Sequence, residues 1–170
     1  MNSFVLLFVE YKLNKIKLLP KTALLKMQNW CAYQERSQNE ARQKLYGSGL
    51  TNEEIEEVIT QLISENFINE ERFAIALTGG KFRIKNWGRN KIKQELKKHR
   101  ISEYVINKAL QSIDEEEYLK VINKVLIKKT RLTKQKDSQK QTYLVCNYAI
   151  SRGFEADLVK EEYKKIIDQK

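Results

Sequence analysis

One pattern recurs three times along this 170-residue chain and restricts it to a fold of small repeated helical units. In "LYGSGLTNEEIEEVITQLI", Leu45 closes one apolar run, Leu50 sits in a short turn, Thr51 stands where a helix N-cap belongs, and Ile55, Ile59 and Leu62 follow at helical spacing. The same roles return at Leu96, Ile101, Ser102, Ile106, Leu110 and Ile113, and again at Ala149, Phe154, Glu155, Val159, Tyr163 and Ile166. Each copy reads as helix, tight turn, helix. A further helical stretch precedes each pair: residues 22–34 with Leu24, Leu25 and Trp30, residues 70–85 with Phe73, Leu77 and Ile84, and residues 115–131 with Tyr118, Val121, Ile122 and Val125. A unit of about fifty residues buries too little surface to be comfortable alone, so neighbouring copies are expected to support one another. The expectation is an all-α fold: an N-terminal extension over 1–21, then three-helix repeats over 22–66, 67–113 and 114–170 in an elongated, bowed arrangement.

Local signals agree with this reading. The chain has one proline and six glycines, so little interrupts its helices. "SQNE" from Ser37, "TNEE" from Thr51 and "DEEE" from Asp114 have the form of capping boxes, in which an oxygen side chain accepts from first-turn N–H groups and a later carboxylate reaches back. Gly49 and Gly153 occupy equivalent turn positions suited to left-handed backbone. Arg100 takes that place in the middle copy, where the same conformation costs an L-residue about 1 kcal/mol or more.

The net charge is +10, and its location matters more than its size. Residues 1–80 and 137–170 are nearly balanced, whereas residues 81–136 carry seventeen basic and six acidic side chains. Such a block points to nucleic acid ahead of an acidic protein or an anionic lipid. On a helix from Trp87 to His99, Ile92 and Leu96 lie within about 40° of each other and form the core stripe. Arg89, Lys93 and Lys97 flank it on one side, Lys91 and Lys98 on the other. Lys120, Lys124, Lys128 and Arg131 then form a second row, facing away from Tyr118, Val121 and Val125. Lys81, Arg83, Lys85 and Arg100 extend the candidate surface. Attraction of phosphates to it is expected to be independent of sequence and weakened by salt. No single helix carries the Asn, Gln and Arg mixture that reads base edges.

Catalytic chemistry finds no residues here. "LTGGKF" lacks the first glycine of a phosphate-binding loop, has Phe82 where Ser or Thr must hold magnesium, and lies within a helical pattern. Gly79 and Gly80 are expected instead to admit a close helix crossing or to break the helix. His99, the sole histidine, borders an apolar stripe and reads as a packed imidazole. Glu53, Glu54, Glu56 and Glu57 crowd a first helical turn, where they favour the dipole. Cys31 and Cys146 have no metal-ligand or redox spacing, which fits a reducing cytoplasm. "SFVLLFV" has no preceding basic residue and is far too short to span a bilayer.

The stretch "FINEERFAIALTGGKFRIKNWGRNKIKQELKKHRISEYVINKAL" resembles the RecX family, regulators of the bacterial RecA recombinase. That family's middle repeat has a hydrophobic pair, a "DERFA"-like start, a basic run with a glycine, and "I..EL..KGI" before an apolar helix. Phe67, Ile68, Glu71, Arg72, Phe73 and Ala74 match the first part, and Gly88, Ile92, Glu95, Leu96 and Ile101 match the second. The resemblance extends more loosely from Thr22 to Asp168. It implies tandem three-helix bundles, no cofactor, and a non-enzymatic, monomeric, cytoplasmic protein of DNA repair, recombination and the SOS response. Such a protein binds RecA filaments on DNA, lying in the filament groove, and limits ATP hydrolysis, strand exchange and coprotease function, in some members modulating rather than simply blocking them. Asn69 and Arg100 depart from the pattern, and residues 1–21 have no counterpart in it. Two competing readings are a general DNA-binding architectural protein acting without RecA, and a helical scaffold whose basic block docks an acidic protein.

Overall fold

The computed structural model describes residues 18–133 and 137–168, and among these it contains nine α-helices, one 3-10 turn and no strand. The expected arm falls almost wholly on residues outside this range. The helices are α1 Pro20–Tyr33, α2 Gln38–Leu45, α3 Asn52–Ser64, α4 Glu70–Lys85, α5 Arg89–Lys98, α6 Glu103–Gln111, α7 Glu115–Leu132, α8 Ser138–Ser151 and α9 Ala156–Asp168. The chain divides into two compact units, residues 1–73 and 74–170, with the division inside α4.

In the first unit α3 packs on both α1 and α2. Pro20 opens α1 at a position where its missing N–H costs nothing. Reciprocal capping boxes open α2 and α3: the amide of Glu40 donates to Ser37 Oγ at 3.1 Å and that of Glu54 to Thr51 Oγ1 at 3.3 Å, while both glutamates accept from the cap amides. Arg42 grips Glu56 with two hydrogen bonds of 2.6 and 2.8 Å, tying α2 to α3. The core holds Ala23, Met27, Cys31, Ala41, Leu45, Ile55, Val58, Ile59, Leu62 and Ile68. The inner stripe of α1 is therefore Ala23, Met27 and Cys31. Leu24 and Trp30 pack only at its margin and Leu25 is exposed, because a helix that lies close on a neighbour seats small and flexible side chains at the line of contact.

The second unit has α7, α8 and α9 packed against one another and α6 against α5. Its core includes Phe82, Ile92, Leu96, Ile101, Ile106, Tyr118, Ile122, Leu126, Val145, Phe154, Val159 and Tyr163. The helix read as Trp87–His99 is shorter, with Gly88 as N-cap and His99 as C-cap. Asp114 caps α7 by accepting from Glu117 N at 2.8 Å. Along α4 the buried positions drift from Phe73 and Ala74 to Thr78 and Phe82, leaving Ile84 exposed. A helix whose two ends belong to different compact units need not keep one apolar stripe. Gly79 and Gly80 neither break α4 nor admit a close crossing. A Cβ on Gly80 meets nothing within 4 Å, and one on Gly79 meets only the Arg83 guanidinium at 3.4 Å.

The three turns share their left-handed residue: φ is 78° at Gly49, 61° at Arg100 and 95° at Gly153. Asn66 and Asn86, at the ends of α3 and α4, also adopt positive φ, a conformation that asparagine tolerates better than most residues.

Candidate nucleic-acid interface

Every basic position singled out in the sequence lies in the second unit, on α4 to α7 or the turns between them. Side-chain geometry separates these positions into two groups that spacing alone does not distinguish.

Around α5 the cations are largely engaged within the molecule. Arg89 has its guanidinium 4.0 Å above the Tyr118 ring, bonds Glu115 at 2.6 Å and approaches Glu155 at 4.0 Å. Its backbone N–H donates to Tyr118 Oη at 3.0 Å, and Tyr118 Oη in turn donates to Glu155 at 2.6 Å. Burial, and then the bond to Glu155, raise the phenol pKa far above its ordinary value, so Tyr118 stays a neutral donor. Lys93 and Lys97 both pair with Glu103 at the start of α6, the latter at 3.3 Å. The Lys93 hydrogen bond, with help from Lys97, holds the Glu103 carboxyl below the usual carboxylate range. Lys81 and Lys98 share Glu95, at 3.0 and 3.2 Å, and lower its pKa in that order. Arg83 pairs with Glu117 and Lys120 with Glu116, each at 3.6 Å.

The second group lacks such partners. Among the described residues no acidic side chain pairs with Lys85, Lys91, Arg100, Lys124, Lys128 or Arg131. Lys91 lies 4.7 Å from the centre of the Trp87 ring, with Lys81 at the same distance. Lys124, Lys128 and Arg131 project from the exposed side of α7 and, with Ile127 and Leu132, line a groove of about 520 Å³. Among the described residues, the cations without an acidic partner are therefore concentrated on α7 rather than α5. Sequence spacing signals neither the Glu103 pairs with Lys93 and Lys97 nor the Glu95 pair with Lys81, because these meet through the folding of one helix against another; only Glu95–Lys98, at i, i+3, is legible along the chain.

The motif residues serve as framework. Ile92 and Leu96 are fully buried, Phe73 and Ile101 nearly so, and Phe67 packs at the edge of the first core. Gly88 has the most demanding position. A Cβ there would lie inside the backbone of Gly153 and Phe154, and a Cβ on Gly153 would lie inside that of Lys91. The α4–α5 and α8–α9 turns meet backbone to backbone, with Gly88 N donating to Arg152 O at 2.9 Å and Asn90 N to Gly153 O at 3.0 Å. The Arg152 guanidinium adds hydrogen bonds to the carbonyls of Lys85 and Asn86. The mutually tilted rings of Phe82, Tyr118 and Phe154, with centroids 5.8 and 5.5 Å apart, continue this junction inward. It holds the start of α5 against α7 and the α8–α9 turn.

Cys31 and Cys146 are buried free thiols. Among the described residues no group of three or more His, Cys, Asp or Glu could hold a metal ion, and no helix is long and apolar enough to cross a membrane.

Comparison with known proteins follows this geometry. Residues 69–110, spanning α4, α5 and all but the last residue of α6, match the family model of the RecX second three-helix domain. A regulatory protein RecX of Clostridium tetani is 30% identical over 134 residues, covering 78% of this chain and 61% of that protein. One from Thermotoga maritima is 30% identical over 138 residues, covering 79% of this chain and 78% of the relative. The chain thus spans about three fifths of the clostridial relative's length. A crystal structure of regulatory protein RecX superposes with a TM-score of 0.79 at 21% identity over 86% of this chain and 71% of the other. RecX from Lactobacillus salivarius superposes at 0.78 with 18% identity over 86% and 95%. At these identities the two structures speak for the fold.

Proposed function

This chain belongs to the RecX family, and from that premise we propose that it is a non-enzymatic, cytoplasmic, monomeric regulator that binds RecA filaments on DNA and lowers their ATPase, recombinase and coprotease activities. The observation that carries the reading is an unbalanced cationic face, centred on Lys124, Lys128 and Arg131, in a chain of this family. Phosphates attract such a face without regard to sequence and release it as salt rises. Lys85, Lys91 and Arg100 supply further charge. Lys81, Arg83, Arg89, Lys93, Lys97, Lys98 and Lys120 set the local field while engaged with carboxylates of the same molecule. The functional repeats are residues 22–66, 67–113 and 114–170, the middle one supplying the framework motif.

The test is ATP hydrolysis by the cognate RecA on single-stranded DNA, titrated with this protein beside a direct measurement of its binding to the same DNA alone. Inhibition at concentrations well below those that coat the bare DNA is the expected result. Inhibition only at coating concentrations would replace the proposal with a DNA-binding protein that acts by competition, and no inhibition would remove RecA from the account.

A further inference from the structure

α7 carries two stripes of different character. Tyr118, Ile122 and Leu126 face inward and are fully buried, with Val125 beside them. Outward lie Lys124, Ile127, Lys128, Arg131 and Leu132, at the i, i+3, i+4, i+7, i+8 spacing of a continuous helix face. The three cations fall within about 60° of arc, with Ile127 on one side of them and Leu132 on the other. Leu132 is 70% exposed and Ile127 38%. Among the described residues, the five that line this groove of about 520 Å³ all come from α7.

A phosphate ribbon uses the cations and leaves the aliphatics idle. A partner that uses all five must bring carboxylates along a central line and apolar side chains on both flanks, at the same helical period. We propose that the outward stripe of α7 docks an acidic amphipathic helix of a partner protein, with Lys124, Lys128 and Arg131 meeting its carboxylates and Ile127 and Leu132 its apolar flanks. The inference rests on the filament reading in one respect: it takes α7 as the side turned to the filament, where the cations that attract phosphates also meet carboxylates of a protein partner. Charge complementarity selects the sign of the partner, because no acidic side chain among the described residues balances the row.

The probe is a fluorescein-labelled helical peptide of about twenty residues with Glu at i, i+4 spacing flanked by Leu, compared with a peptide of identical charge in which every Leu is Ser. Fluorescence anisotropy with the full chain is expected to show at least about tenfold tighter binding of the Leu peptide. Ile127→Ser with Leu132→Ser should abolish that preference while leaving binding to oligothymidylate unchanged. Both substitutions are at exposed positions, and circular dichroism verifies that the variant folds. Equal affinity for the two peptides, or a preference that survives in the variant, would overturn the inference. The RecA titration runs separately: loss of the peptide preference with intact inhibition removes only this docking site. A Leu preference that depends on Ile127 and Leu132 without inhibition supports the docking site and removes the RecA reading.

Discussion

Gly88 shows how one residue can matter without chemistry of its own. It accepts φ of −78°, which any residue could adopt, so backbone freedom does not explain it. Space does: the backbone of Gly153 and Phe154 occupies the volume where a Cβ would stand. Gly88→Ala must part the two turns and strain or break the Gly88 to Arg152 and Asn90 to Gly153 hydrogen bonds. A loss of about 3 kcal/mol or more is expected, from overpacking together with unsatisfied backbone groups. A guanidinium denaturation curve that leaves the midpoint unchanged would refute this packing account. Arg89 gives the opposite lesson. Its charge looked available in the sequence, yet its guanidinium covers the Tyr118 ring and bonds Glu115, so it acts first as a framework residue.

At the scale of elements, the helix–turn–helix pairs share one stop signal with one exception. The left-handed position is glycine in the first and third turns and Arg100 in the second. Relief of left-handed strain outweighs the added freedom of the unfolded chain, so Arg100→Gly should raise stability by about 0.5–1 kcal/mol. The readout is the thermal midpoint, and a fall would show that the Arg100 side chain makes a compensating contact. The same variant removes one cation from the proposed surface, so filament affinity and stability should move in opposite directions. Ion pairs between helices belong to this scale too. Glu103, at the start of α6, joins Lys93 and Lys97 of α5, and Glu95 of α5 joins Lys81 of α4, so the basic run arrives at its surface partly neutralised.

For the whole molecule, the carboxylates that bridge helices predict its response to acid. Glu162, side chain only 7% exposed, is held below its ordinary pKa by Lys165 and also by Asn123, and Glu95 is held low by Lys81 and then Lys98. Their unfolded values are about 4.3, above the native ones, so their contribution is complete above that pH and is lost as the pH falls through the lowered native values. The denaturation midpoint should therefore hold from about pH 6 down to about pH 4.3 and fall from there toward pH 3. An unchanged midpoint would show that these pairs add nothing to stability. What the sequence determined by itself was everything carried by neighbours along the chain. That includes the helices, their caps at Ser37, Thr51, Ser102 and Asp114, the left-handed turns, and the core positions Ile92, Leu96 and Ile101, because periodicity and capping act within a few residues. Tertiary structure alone decided which cations remain unpaired, why Gly88 and Gly153 need each other, and why α1 buries Met27 rather than Leu25. Those outcomes depend on side chains and backbone that meet across tens of residues, and charge is neutralised or left open by what stands opposite in space.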